Sequence, residues 1–163
     1  MRHIALAVLL LAAPVPSHAQ LGIAAGTAIP SGDFADVVDP GLHVQGSFNL
    51  GLPLLPDFRL DAMWQRYSEI TGGNARLLGA SANVILDLPL LVIKPYLLGG
   101  LGYYDLSFDD DADDSDSSSP GFTAGAGLRI GLGRLGVFGE ARALRLTGDN
   151  SITTLPIMIG VTF

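Results

Sequence analysis

Leu155-Pro156-Ile157-Met158-Ile159-Gly160-Val161-Thr162-Phe163 alternates between two kinds of residue up to the last position. Leu155, Ile157, Ile159, Val161 and Phe163 share one parity; Pro156, Met158, Gly160 and Thr162 share the other. Successive side chains of a strand point to opposite faces, so this period lays five large apolar groups on one side of a sheet. Terminal residues usually fray. An apolar strand that ends on an aromatic predicts a terminus tied into structure, and Pro156, which cannot donate to a ladder, predicts a bulge or an unpaired carbonyl nearby.

The same rhythm recurs upstream, in about eight segments of roughly ten residues, the length with which a tilted strand crosses a bilayer. Leu21, Ile23, Ala25, Thr27 and Ile29 alternate with glycine and alanine, and a polar connection runs from Pro30 to Pro40. Leu42, Val44, Phe48, Leu50 and Leu52 then oppose His43, Gln45, Ser47, Asn49 and Gly51, the clearest alternation in the chain. Phe58, Leu60, Ala62 and Trp64 oppose Asp57, Arg59, Asp61, Met63 and Gln65, and Leu78 to Leu86 oppose Gly79, Ser81, Asn83 and Asp87. A fifth segment, Lys94 to Phe108, is blurred by Leu97-Leu98 and Gly99-Gly100. Phe122 to Ile130 and Leu135 to Ala143 supply the sixth and seventh. Connections after odd strands are polar, acidic or glycine-rich. Those after even strands are short, around Pro53, Pro89 and Gly133. Long loops on one side and short turns on the other characterise an up-and-down barrel.

Met1-Arg2-His3, the apolar run Ile4 to Ala13 and the small-x-small site Ser17-His18-Ala19 read as a cleaved signal peptide. The expected organisation is therefore a leader over 1–19 and one barrel domain over 20–163. The chain has no cysteine, which removes disulfide and thiol chemistry. The whole chain carries −7; without Arg2 it carries −8, a balance that excludes a nucleic-acid partner, which needs a basic face.

Which face meets water is decided by composition. The polar faces are rich in glycine and alanine, suited to a crowded interior, and Lys94 is the single lysine. Aromatics fall near strand ends: Phe58, Tyr96 and Phe163 toward the turn end, Trp64, Tyr104 and Phe122 toward the loop end. Two aromatic girdles on the apolar parity suit a bilayer with two interfaces. The expectation is apolar residues facing lipid, with small and charged ones filling the middle. The alternative is a soluble exported barrel, lipocalin-like, with a small apolar ligand inside.

The leader, the four-hairpin rhythm and the terminal Phe163 together resemble the small bacterial outer-membrane β-barrel family, of OmpA/OmpX type. The resemblance implies an all-β, antiparallel transmembrane barrel of eight strands, located in the bacterial outer membrane. It implies a monomer surrounded by bilayer lipid and lipopolysaccharide, with Phe163 read by the barrel assembly machinery. Such motifs mark assembly rather than chemistry, so the expected role is structural or interactive, without enzyme activity, metal or cofactor.

Three groups of residues are candidate sites. Arg59, Asp61, Arg129, Glu140 and Arg142 fall on the interior parity, where buried charges must be paired. The expectation is a plug in which Asp61 and Glu140 neutralise the three arginines. Asp109, Asp111 and Asp113 have a one-three-five spacing that could hold a hard cation, but Asp114 and Pro120 stand where a calcium loop needs glycine and glutamate. A solvated acidic loop is the plainer reading. Some barrels of this family modify lipid A, which calls for a histidine beside a serine and an acid. His43 and Ser47 share the interior face, with no motif tying them to a carboxylate.

Overall fold

The structure is a computed structural model and describes residues 19–51, 56–70, 72–88, 92–108, 117–132, 135–148 and 151–163. The expected leader, save Ala19, and the turn residues Pro53, Pro89, Gly133 and Arg134 lie outside them.

Eight strands form a closed antiparallel barrel in sequence order: β1 (Ala19–Ser31), β2 (Gly41–Leu50), β3 (Asp57–Ser68), β4 (Asn74–Asp87), β5 (Ile93–Phe108), β6 (Ser117–Leu132), β7 (Leu135–Leu146) and β8 (Thr153–Thr162). Closure comes from β1 pairing with β8, Gly22 opposite Thr162 through Ser31 opposite Thr153. Leu21 and Phe163 exchange backbone hydrogen bonds of 3.0 and 2.9 Å, which holds Phe163 against the start of β1. A closed barrel leaves no strand edge unpaired. No bulge forms at Pro156. Its register with Ala28 is regular, and the irregularity is on the other side, where the β7–β8 ladder skips from Ala141–Ile157 to Leu144–Thr154. The missing N–H of Pro156 is met by leaving Arg142 and Ala143 out of the ladder.

Parity decides facing throughout. The outward positions hold Leu21, Ile23, Leu42, Phe58, Leu60, Leu78, Leu86, Leu97, Leu101, Leu128, Ile157, Ile159 and Phe163, all exposed. Among the described strands, outward charge is confined to Arg66, Arg76, Asp105 and Arg145, all at the loop end. An exterior of that composition is stable against hydrocarbon and costly in water. It is the reverse of the lipocalin-like arrangement. No described helix is long and apolar enough to cross a membrane, a statement that does not bear on the strands.

Two expectations about facing fail. Tyr96 and Tyr104, assigned to the outer girdles, are both buried in the lumen, and Tyr103 faces out instead. Glycine makes this possible. A side chain at Gly127 would collide with the Tyr96 ring, and one at Gly79 or Gly121 with the Tyr104 ring. The interior is also less polar than expected. At the loop end Met63, Tyr67, Leu77, Tyr104, Leu106, Leu144, Leu146 and Ile152 form one apolar cluster. A 3-10 turn, η1 (Gly32–Asp36), adds Phe34 to it, edge-on to Tyr67 with ring centres 5.3 Å apart. Val38 anchors the same segment through a bridge to Glu69. The lumen is thus stratified: oily toward the loops, charged nearer the turns.

Candidate functional site

The charged layer is built from opposite walls of the barrel. Arg59 and Asp61 project inward from β3, Glu140 and Arg142 from β7, each pair two residues apart and therefore on one face. In an eight-stranded barrel β3 and β7 are diametrically opposed, so contacts between them cross the axis. Arg59 donates to both oxygens of Glu140, Nη1 to Oε2 at 2.8 Å and Nη2 to Oε1 at 3.0 Å, the forked geometry that favours arginine over lysine. Arg142 returns the crossing, Nη1 to Asp61 Oδ2 at 3.0 Å, and its Nε donates to Glu140 Oε1 at 2.6 Å. Arg59 Nε lies 3.1 Å from Asp61 Oδ1. All four residues are 2–4% exposed.

Two arginines and two carboxylates make this quartet formally neutral. Buried charge survives only when matched and hydrogen-bonded, and the neighbouring strands add donors to both carboxylates. Tyr96 on β5 donates to Glu140 Oε2 at 2.6 Å, and Asn83 on β4 donates to Asp61 Oδ2 at 2.9 Å. Thr123 on β6 donates to Asn83 Oδ1 at 2.7 Å. Five of the eight strands are thereby tied together through side chains across the interior.

Arg129 is not part of this cluster. It reaches Asp87, Nη1 to Oδ2 at 3.7 Å, and its guanidinium lies 5.1 Å from the centre of the Tyr96 ring. It is more open than the quartet, because β6 carries Arg129 close to its turn end, level with the last residue of β4. Asp87 was legible as interior-facing, yet its pairing depends on the stagger of strands around the barrel. Asn83, Tyr96 and Thr123 are contributors that parity alone did not single out; Tyr96 was assigned to the opposite face.

His43 lies above the charged layer and is fully buried. Gln65 donates from its amide nitrogen to His43 Nδ1 at 3.0 Å and accepts from the Tyr67 hydroxyl, which lies 2.7 Å from Thr154 Oγ1. A ring whose Nδ1 accepts this bond carries its proton on Nε2. Ser47, the candidate nucleophile, packs against Gly22 instead, and its hydroxyl is not brought to His43 by any described hydrogen bond. The described contacts cross-link the walls and fill space. Among the described residues no group of histidine and acidic side chains could hold a metal ion. Asp109, Asp111 and Asp113 lie outside the described residues.

No protein-family model and no curated protein sequence matches the chain. Solved structures do match in fold. Neisserial surface protein A, NspA, superposes with a TM-score of 0.73 at 18% identity, over 90% of this chain and 96% of that one. Ail, the attachment invasion locus protein of Yersinia pestis, gives 0.60 at 14% identity over 89% and 97%. The outer-membrane enzyme PagL gives 0.55 at 15% identity over 88% and 98%. The chain therefore has the fold of the small eight-stranded outer-membrane barrels.

Proposed function

We propose that this protein is a monomeric, integral protein of the bacterial outer membrane, with a closed lumen and a structural or interactive role. One observation carries the reading. Away from the loop-end rim every outward strand position is uncharged, while Arg59, Asp61, Glu140 and Arg142 turn to the axis and match one another. A chain that spends its charges on each other across the middle of a barrel is built to be filled rather than to conduct. The surrounding partners are bilayer lipid and lipopolysaccharide, and the barrel assembly machinery reads the strand ending in Phe163. Interaction falls to the loop end, where the stretch from Asp109 to Pro120 carries six aspartates. Through it, divalent cations such as those Asp109, Asp111 and Asp113 could share would bridge to anionic lipopolysaccharide.

We assign no catalytic role. This rests on His43, whose accessible surface is nil and whose partner is an amide, so that no lipid substrate reaches a histidine–serine pair. The test is reconstitution of the mature chain in planar bilayers beside a lipid A profile of cells that overproduce it. Heat-modifiable gel mobility, no steady conductance and an unchanged profile are expected. Large steady currents would refute the filled lumen, altered lipid A would refute the non-catalytic assignment, and solubility without detergent would refute the membrane location.

A further inference from the structure

The loop end carries an apolar pair that neither the belt nor the lumen uses. Beyond the last rung of the β2–β3 ladder the two chains stay zipped. The Ile70 N–H donates to the Val37 carbonyl at 3.0 Å, and the Asp39 N–H to the Ser68 carbonyl at 2.9 Å. These bonds flank the bridge between Val38 and Glu69 and set Val37 directly opposite Ile70. Residues opposite one another in antiparallel strands share a face, with Cβ atoms roughly 4.5–5.5 Å apart. Val38 turns inward and is buried, whereas Val37 and Ile70 turn outward, 45% and 60% exposed. The pair lies beyond the lipid-facing surface. Ile70 is six residues past Trp64, the last outward aromatic of β3. At about 3.3 Å per residue and a strand tilt of roughly 40°, that is about 15 Å further along the axis. An interfacial tryptophan marks headgroup depth, and Val37 and Ile70 stand well past it.

The charge around the pair has one sign. The connections that hold it, 32–40 and 69–73, contain Asp33, Asp36, Asp39 and Glu69 and no lysine or arginine. The three aspartates are exposed. By sequence the other two loop-end connections, 109–116 and 147–152, add seven aspartates and again no lysine or arginine. We propose that Val37 and Ile70, with their acidic surround, form a docking surface for a cationic polypeptide segment that carries apolar side chains among its basic ones. Other occupants meet half of this surface or are repelled by it. A metal ion would match the carboxylates and leave both apolar side chains in water. A lipid phosphate, a nucleic acid or a second copy facing it loop end to loop end would bring negative charge to negative charge. A basic segment with apolar residues answers both features: its charge steers the approach, and covering Val37 and Ile70 holds it there. The inference rests on the outward orientation of the loop end proposed above and gives that end a partner class.

Ile70 supplies its own reporter. The mature chain, carbon-13 labelled at the isoleucine δ1 methyls, is folded in neutral detergent, checked by heat-modifiable gel mobility and titrated with a peptide of three Lys-Val repeats. The Ile70 methyl resonance should shift saturably, while those of Ile157 and Ile159, exposed on the apolar belt, stay fixed. Affinity should fall by roughly tenfold or more when serine replaces the valines of the peptide, and likewise in D36N/D39N. It should also fall as salt is raised. V37S changes only exposed surface and keeps the reporter, and it should weaken binding severalfold. A Glu-Val peptide should leave Ile70 unmoved. Equal affinity for the Lys-Ser peptide would reduce the surface to bulk charge attraction and overturn the proposal. So would unchanged binding in folded V37S or D36N/D39N, or shifts at Ile157 and Ile159 that match the shift at Ile70, the mark of partitioning into detergent. Failure of the wild-type chain to enter detergent as a heat-modifiable species would instead overturn the membrane reading itself.

Discussion

Glu140 is the residue on which the interior depends most. It accepts from Arg59, Arg142 and Tyr96, three residues on three strands. Glu140→Gln preserves its shape and removes one charge, leaving a buried net positive quartet. Removing one member of a buried ion pair costs about 3–5 kcal/mol, because the remaining charge is stranded. The urea midpoint for loss of the heat-resistant folded band should fall accordingly. A double variant, R59Q with E140Q, restores neutrality and should recover part of the loss, a coupling that a double-mutant cycle measures. That these residues face inward was legible, since Arg59 and Asp61, like Glu140 and Arg142, are separated by two. That Asp61 and Glu140 neutralise Arg59 and Arg142 was legible as well; which carboxylate meets which arginine, and that Arg129 stands apart, was not. Alternation gives the face of a side chain but not its height, and height depends on inter-strand stagger, which is why Arg129 joins Asp87.

At the scale of the strand, reading succeeded where one face is large and apolar and the other small or polar, as in β2 and β8. It failed on β5, and for a physical reason. β5 turns Leu97, Leu101 and Tyr103 outward and Tyr96, Leu98, Tyr104 and Leu106 inward, so both faces are greasy and no contrast remains to read. The missing information lies on the neighbouring strands, whose Gly79, Gly121 and Gly127 leave room for the inward rings. Gly127→Val should therefore displace Tyr96 from Glu140 and destabilise the barrel by about 1–3 kcal/mol, the usual cost of overpacking. Gly131→Val, on the same strand and parity but in open space, should stay within about 0.5 kcal/mol in the same urea assay.

At the scale of the whole molecule, the barrel separates its tasks by layer. An apolar belt covers the outside, the quartet braces opposite walls, and an oily cluster under Phe34 packs the loop end of the interior. The general architecture was legible because alternation, loop asymmetry and the terminal aromatic all favour one fold. The cap was not. η1 sits in a stretch of glycine, aspartate and proline that reads as solvated, and the burial of Phe34 there depends on Tyr67, a residue 33 positions away on another strand. Another consequence follows from Leu21 and Phe163, which face each other as hairpin neighbours do, lacking only a connecting turn. Where the polypeptide happens to be cut is then incidental to the cylinder. Joining residue 163 to residue 20 through a short glycine linker, and reopening the ring between Asp109 and Asp116, should yield a circular permutant. It should migrate as the same compact, heat-modifiable species, with its new ends at the opposite end of the barrel.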